Sequence, residues 1–229
     1  MGYVIATSRF WNETMVNRIH SAIEGDFTLI TRKEDLVTER LLELGPRYIF
    51  FPHWSYIIPK EIHDNFECVV FHMTDVPFGR GGSPLQNLIT RGIYETKITA
   101  LRCQAELDAG PVYMKKPFSL YGNAEEIYLR ASKVVSEMII EIIQNEPTPL
   151  EQRGEAVVFS RRKPAESNMA NLTELEKLFD HIRMLDAEGY PKAFLETERF
   201  RFEFQRPSLK YNKIMADVLI TPKNVKNDK

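Results

Sequence analysis

Hydrophobic residues along this chain fall into runs that alternate between two periods. YVIATS, Tyr3 to Ser8, is a continuous apolar run and predicts a buried strand. From Asn12 to Glu24, Met15, Ile19 and Ile23 recur at helical spacing. FTLIT predicts a second strand, and Thr31 with Glu34 forms a capping-box pattern ahead of the helical EDLVTERLLEL. Gly45-Pro46 ends that helix, and YIFF predicts a third strand. A helical turn around PKEIHDNF leads to a fourth strand, CVVFH, then to a loop and a helix beginning near Ser83-Pro84. KITALRCQ and PVYMKKPFSL predict two more strands flanking AELDAG. Asn123 and Glu126 cap a long helix whose stripe runs Ile127, Ala131, Val134, Val135, Met138, Ile142.

Strands alternating with helices imply βαβ units, and continuous apolar strands imply a sheet covered on both faces. The expected class is α/β, a Rossmann-like, doubly wound, mostly parallel sheet. The pattern changes after Pro149, so a core over 1–149 and an extension over 150–229 are expected. The extension holds a short strand with a charged turn in AVVFSRRKPAES and an amphipathic helix in LTELEKLFDHIRML. A hairpin turning at TER follows in AFLETERFRFEFQ. The polar tail TPKNVKNDK is expected to fray.

Composition adds exclusions. With 229 residues and a formal net charge of −2, the chain lacks the basic excess usual for nucleic-acid binding. No apolar run reaches the ~20 residues of a membrane span. Cys68 and Cys103 have no metal spacing and fit buried free thiols in a reducing, cytoplasmic compartment. No metal-ligand cluster is visible.

In doubly wound sheets ligands bind beyond the carboxyl ends of the strands. His53, His72 and the segment SRFWN fall at such ends, the last offering Ser8, Arg9 and Asn12 to an anion at a helix N-terminus. His72 opens the stretch HMTDVPFGRGGSP. Its adjacent glycines, Gly81 and Gly82, would let a ligand approach the backbone. Asp108 lies in a tight turn, Asp108-Ala109-Gly110-Pro111. A histidine and an aspartate on neighbouring strand ends can share a proton or orient a water, as amine acylation requires.

HMTDVPFGRGGSP resembles the signature of the formyltransferases that use 10-formyltetrahydrofolate, and ELDAGPVY resembles the loop with that family's catalytic aspartate. HWSYIIPKEI is similar to the pterin-side segment. SRRKPAES and IRMLDAEGYPKAFLETERFRF are similar to the segment after the core in sugar-amine formyltransferases. The resemblance spans about Tyr48 to Phe204. It implies a formyltransferase fold and 10-formyltetrahydrofolate as co-substrate, without a metal. The implied catalytic residues are His72 and Asp108, with His72 stabilising the tetrahedral oxyanion or handling the proton in concert with Asp108. The folate is expected against Trp54, Ile57, Ile58, Pro59 and Leu107, with Arg80, Gly81 and Gly82 nearby.

The implied acceptor is the amine of a nucleotide-linked amino sugar, with Arg161 and Arg162 on its diphosphate. A UDP-linked 4-amino-4,6-dideoxyhexose of the pseudaminic acid type is favoured by the look of the loop. That reading places the protein in polysaccharide biosynthesis, with no nucleic-acid or membrane partner and with homodimer formation open. A formyltetrahydrofolate hydrolase, a formyltransferase for another amine and a non-catalytic binding protein of the same fold are the alternatives. Val70 stands where the family places an asparagine that holds the formyl oxygen. His53, just past the YIFF strand, is the candidate substitute donor.

Overall fold

The computed structural model describes residues 1–9 and 12–223. Two compact units result. The first comprises Met1–Pro84, Glu95–Ser119 and Leu129–Phe159; the second comprises Leu85–Tyr94, Leu120–Tyr128 and the chain from Ser160 onward. No single cut in the chain separates them: the first unit continues past Pro149 to Phe159, and the second takes in two short earlier segments.

The first unit is built on a six-stranded sheet of order β2-β1-β3-β4-β6-β7. Its strands are β1 (Gly2–Ala6), β2 (Asp26–Ile30), β3 (Tyr48–Phe51), β4 (Cys68–His72), β6 (Glu95–Arg102) and β7 (Val112–Ser119). β1 to β4 pair in parallel, as their unbroken apolar runs imply. β4 to β6 and β6 to β7 are antiparallel. The sheet is thus the expected α/β, doubly wound and mostly parallel one, closed on one side by a hairpin. α1 (Glu13–Ala22) buries Met15 and Ile19 of the predicted stripe, whereas Ile23 lies just past the helix end and is half-buried.

One predicted helix start is corrected. Thr31 and Glu34 do not cap a helix: Lys33–Asp35 forms a 3₁₀ turn, and α2 (Thr38–Leu44) begins later, with no side-chain cap at Val37. Arg32 instead grips Asp35 through two hydrogen bonds of 2.9 Å, and that local pair competes with a capping box. The second predicted box holds. Asn123 and Glu126 exchange reciprocal 2.9 Å bonds at the start of α5 (Ala124–Asn145). Of the predicted stripe, Val134 is only half-buried, and Ile139 joins the buried set.

The remaining short elements are α3 (Lys60–His63), β5 (Phe78–Gly81), α4 (Pro84–Ile89) and β8 (Val157–Phe159). β5 lies within the sequence's histidine loop and pairs in parallel with β8. Gly81 has φ +100, and a Cβ on it would sit 2.5 Å from the carbonyl oxygen of Phe159. Gly82 donates its N–H to that same oxygen at 3.0 Å. The space that Gly81 leaves is therefore filled by β8, so the missing Cβ makes room for protein backbone rather than for a ligand.

In the second unit, α6 (Leu175–Arg183) is the predicted amphipathic helix, and β9 (Ala193–Glu196) turns at residues 197–199 into β10 (Phe200–Lys210). β11 (Lys213–Pro222) adds a third antiparallel strand, so Thr221 and Pro222 of the predicted frayed tail are paired. The rest of that tail, from 224, lies outside the described residues. Arg183 is 3% exposed yet satisfied, donating to Asp180 Oδ1 at 2.7 Å and to the carbonyls of Leu120 and Gly122 at 2.6 and 2.7 Å.

Gly110 has the tightest fit in the first unit. A Cβ there would stand 1.9 Å from the carbonyl oxygen of Arg102. Gly110→Ala is expected to lower stability by about 1–3 kcal/mol, the range for overpacked sites, measured by chemical denaturation.

Candidate active site

β4 carries Cys68, Val70 and His72 on one face, because side chains alternate along a strand. Cys68 belongs to the buried cluster of Val4, Ala6, Ile49 and Phe51, and Val70 packs against that cluster with Trp54, Ile58, Phe66 and Cys103. Val70 thus extends an apolar layer. The thiol of Cys68 is buried, and burial pushes its pKa up. Cys103, half-buried rather than buried, is pushed up to about 11 by burial and by Asp108.

His72 ends β4 with its side chain only 8% exposed. Its Nε2 lies 2.7 Å from the carbonyl oxygen of Gly79. A carbonyl only accepts, so Nε2 carries a proton and donates. Nδ1 faces Asp108 Oδ2 at 3.4 Å, and that oxygen also accepts the N–H of Gly81 at 2.9 Å. Asp108 adopts a left-handed φ of +54. The structure therefore brings His72 and Asp108 together, with Nδ1 the ring nitrogen that faces the carboxylate.

Arg80, on β5, is spent within the protein. Its Nε and Nη2 donate to Gln152 Oε1 at 3.1 and 2.9 Å, and Nη1 reaches Glu106 Oε1 at 3.2 Å. Gln152 Nε2 in turn donates to the carbonyls of Asp108 and Gly110 at 2.9 and 2.8 Å. No sequence signal marked Gln152: it sits in the polar stretch LEQRGE, more than forty residues from the aspartate it touches.

A second group gathers at the ends of β1 and β3. Ser8 Oγ donates to the carbonyl of His53 at 2.7 Å, and Asn12 Nδ2 lies 2.9 Å from Thr7 Oγ1 and 3.4 Å from His53 Nδ1. Phe10 and Trp11, between them in SRFWN, lie outside the described residues. The backbone of His53 is left-handed, φ +51. Burial, and secondarily Arg9, pushes its pKa down to about 4, so the ring is neutral near pH 7. An amide N–H facing Nδ1 leaves the proton of the neutral ring on Nε2. Register pairs Phe51 with Val70, so His53 and His72 each stand two residues beyond that pair.

Of the folate-side residues, Ile57 and Leu107 are exposed, at 78% and 58%, while Ile58 packs inward and Pro59 precedes α3. The indole N–H of Trp54 is buried and has no hydrogen-bond partner among the described residues. Arg161 is exposed, and Arg162 donates to the carbonyl of Glu166 at 2.6 Å; both belong to the second unit. Among the described residues no group of three or more His, Cys, Asp or Glu is gathered as a metal would need, and no helix is long and apolar enough to cross a membrane.

A buried imidazole facing a carboxylate at the end of a central strand defines a proton-handling site on a doubly wound α/β sheet. Comparison with known proteins narrows that class. The family described as methionyl-tRNA formyltransferase, C-terminal domain, matches residues 164–221. The solved structure titled methionyl-tRNA formyltransferase from Clostridium thermocellum is 50% identical, with a TM-score of 0.94 over 97% of this chain and 100% of that one. A methionyl-tRNA formyltransferase of Thermodesulfovibrio yellowstonii is 28% identical over 74% of this chain and 58% of its own length. A likely sugar N-formyltransferase from Mycobacterium tuberculosis covers 86% of this chain and 92% of its own at 16% identity and a TM-score of 0.69, a likeness of fold.

The chain belongs to the formyltransferase family. It spans about half the length of the curated relatives it matches. The sugar-amine branch, the nucleotide-sugar substrate and a place in polysaccharide biosynthesis are overturned by the 50% match and by the 164–221 match. The turn, helix and hairpin after the core do not distinguish the branches. The exclusion of a nucleic-acid partner falls with them. Net charge averages over both units, whereas residues 160–229 hold 14 Lys and Arg against 11 Asp and Glu. The diphosphate role of Arg161 and Arg162 loses its basis with the sugar.

The lowered pKa of His53 has a signed consequence. The unfolded chain takes up a proton there near 6.5 and the folded chain near 4, so stability is full above about pH 6.5 and is lost as pH falls toward 4. Between about pH 7 and pH 5 the loss from this residue is about 2 kcal/mol. Thermal unfolding at the two pH values, compared with His53→Asn, should show a smaller drop in the variant.

Proposed function

We propose that this chain performs the chemical step of a formyl transfer from 10-formyltetrahydrofolate to the amino group of a methionyl-tRNA. The acceptor rests on the 50% identity along 97% of the chain to a methionyl-tRNA formyltransferase. The chemistry rests on one observation, the 3.4 Å approach of His72 Nδ1 to Asp108 Oδ2.

The family draws on 10-formyltetrahydrofolate, which when bound supplies a formyl group activated for transfer to nitrogen. The residues present fit it. The indole N–H of Trp54, without a partner among the described residues, calls for an acceptor, and exposed Ile57 and Leu107 offer apolar cover. Trp54, Ile57, Ile58, Pro59 and Leu107 would hold it.

An amine that attacks a formyl carbon must lose a proton, and negative charge grows on the formyl oxygen. His72 accepts the proton at Nδ1, where Asp108 Oδ2 stabilises the resulting imidazolium, and gives it up to the folate nitrogen as the bond between that nitrogen and the formyl carbon breaks. Its Nε2 stays on the carbonyl of Gly79 and fixes the ring plane. Gly81 N–H keeps Asp108 Oδ2 facing the imidazole. Because Nε2 of His72 is engaged, the oxyanion needs another donor. Val70 has none to offer, and neutral His53, with its proton on Nε2, supplies one. Ser8 and Asn12 hold His53 through its carbonyl and its Nδ1. The cations of residues 160–229 would meet tRNA phosphates in a salt-dependent way.

His72→Ala and Asp108→Asn should each lower kcat by ~10²-fold or more, and His53→Ala by ~10²-fold with little change in folate affinity. A kinetically normal His53→Ala enzyme would remove that residue from the oxyanion site.

The acceptor is tested by incubating the purified chain with 10-formyltetrahydrofolate and charged initiator tRNA and measuring formylmethionine. Formylation that weakens steeply with added salt is expected. Absence of formylmethionine from a folded, folate-binding protein would overturn the reading.

A further inference from the structure

We propose that Gln152 is a positioning residue that holds the Asp108 carboxylate in line with His72. Its kinetic consequence rests on the formyl-transfer reading above; its structural consequence does not.

The amide of Gln152 has two donors and one oxygen, and all are used. Oε1 accepts from Arg80 Nε and Nη2, and Nε2 gives one hydrogen to the carbonyl of Asp108 and one to that of Gly110. Its orientation is forced, since arginine can only donate and a backbone carbonyl can only accept. The side chain therefore reads the two ends of the turn bearing the carboxylate.

That turn needs holding. Asp108 sits at φ +54, a conformation unfavourable for a residue with a Cβ, and it persists only where its surroundings impose it. Gly110 abuts the carbonyl of Arg102 with no space for a Cβ, so the far end of the turn presses on the end of β6. Gln152 is anchored in its own right. Leu150, two residues earlier, exchanges backbone bonds of 2.7 and 2.9 Å with Val112 at the start of β7. Arg80 is placed by the pairing of β5 with β8, where it lies opposite Val158. Gln152 thus joins the strand bearing Arg80, the segment after α5 and the Asp108 turn. The carboxylate emerges from that turn with one oxygen shared between Gly81 N–H and His72 Nδ1. A shift of the turn would break that sharing.

The test uses Gln152→Glu, which keeps the acceptor for Arg80 but sets an oxygen against two carbonyls, and Gln152→Met, of similar length with no donor. Amide hydrogen exchange at Gly81, thermal unfolding, kcat and KM are measured in each. The Gly81 amide should exchange faster, by ~10-fold or more, as its bond to Asp108 Oδ2 loosens, with exchange in β1 and β3 unchanged. kcat should fall by ~10-fold or more, with KM altered less than 3-fold, as expected when geometry and not binding is lost. In an Asp108→Asn background the same substitutions should cost less than ~2-fold, because a residue acting through Asp108 has nothing left to position. Unchanged Gly81 exchange in both folded variants would overturn the proposal, as would a full effect in the Asp108→Asn background. If the unaltered protein transfers no formyl group, the functional reading fails, and Gly81 exchange alone decides the role of Gln152.

Discussion

One carboxylate oxygen, Asp108 Oδ2, accepts the Gly81 amide and faces His72 Nδ1, and so joins the end of the fourth strand to the turn between the sixth and seventh. The arrangement has little slack. The turn bearing Asp108 is left-handed at a residue with a Cβ, and its glycine touches a strand carbonyl. At the other end of β6's edge with β4, Arg102 grips Glu67 with two bonds of 2.7 and 3.0 Å, which fixes the strand end from which the loop departs. Proton transfer is sensitive to sub-ångström placement, so a rigid frame around one oxygen suits the general-base role proposed for this pair.

The apolar layer beneath the site limits which donors can be present. Val70, Trp54, Ile58 and Cys103 pack on the same buried cluster, so a polar side chain at position 70 would need its own partner within that layer. The donor proposed for this end of the sheet lies instead just past the neighbouring strand. His53 is held through its carbonyl by Ser8 and at Nδ1 by Asn12, and burial keeps it neutral. Ser8, Arg9 and Asn12, read in sequence as an anion site, are gathered around this histidine.

The acceptor shows where a chain-wide quantity misleads. A net charge of −2 argues against a polyanionic partner only if charge is spread evenly, and here residues 160–229 carry a positive excess that the remainder reverses. Similarity of the helix-and-hairpin segment pointed to sugar enzymes. That element is one amphipathic helix packed by a hairpin, and such a unit follows from binary pattern alone, so it carries little about what the protein binds.

The sequence by itself determined the doubly wound sheet, because long apolar runs and helical stripes declare their partners through burial, whichever residues they are. His72 and Asp108 stood out in it through the resemblance of their two loops to a family's signatures, and the structure brings the two side chains together. The sequence's local signals failed where two short-range options competed, as at Arg32 and Asp35, whose mutual grip displaced the expected capping box. Only the tertiary structure decided that Gly81 makes room for β8, that Arg80 serves Gln152, and that Gln152 holds the turn of Asp108. These are contacts between residues tens of positions apart, made by single side chains with no periodicity. Pattern in a sequence records which faces are buried, but not which donor meets which acceptor once the faces have closed.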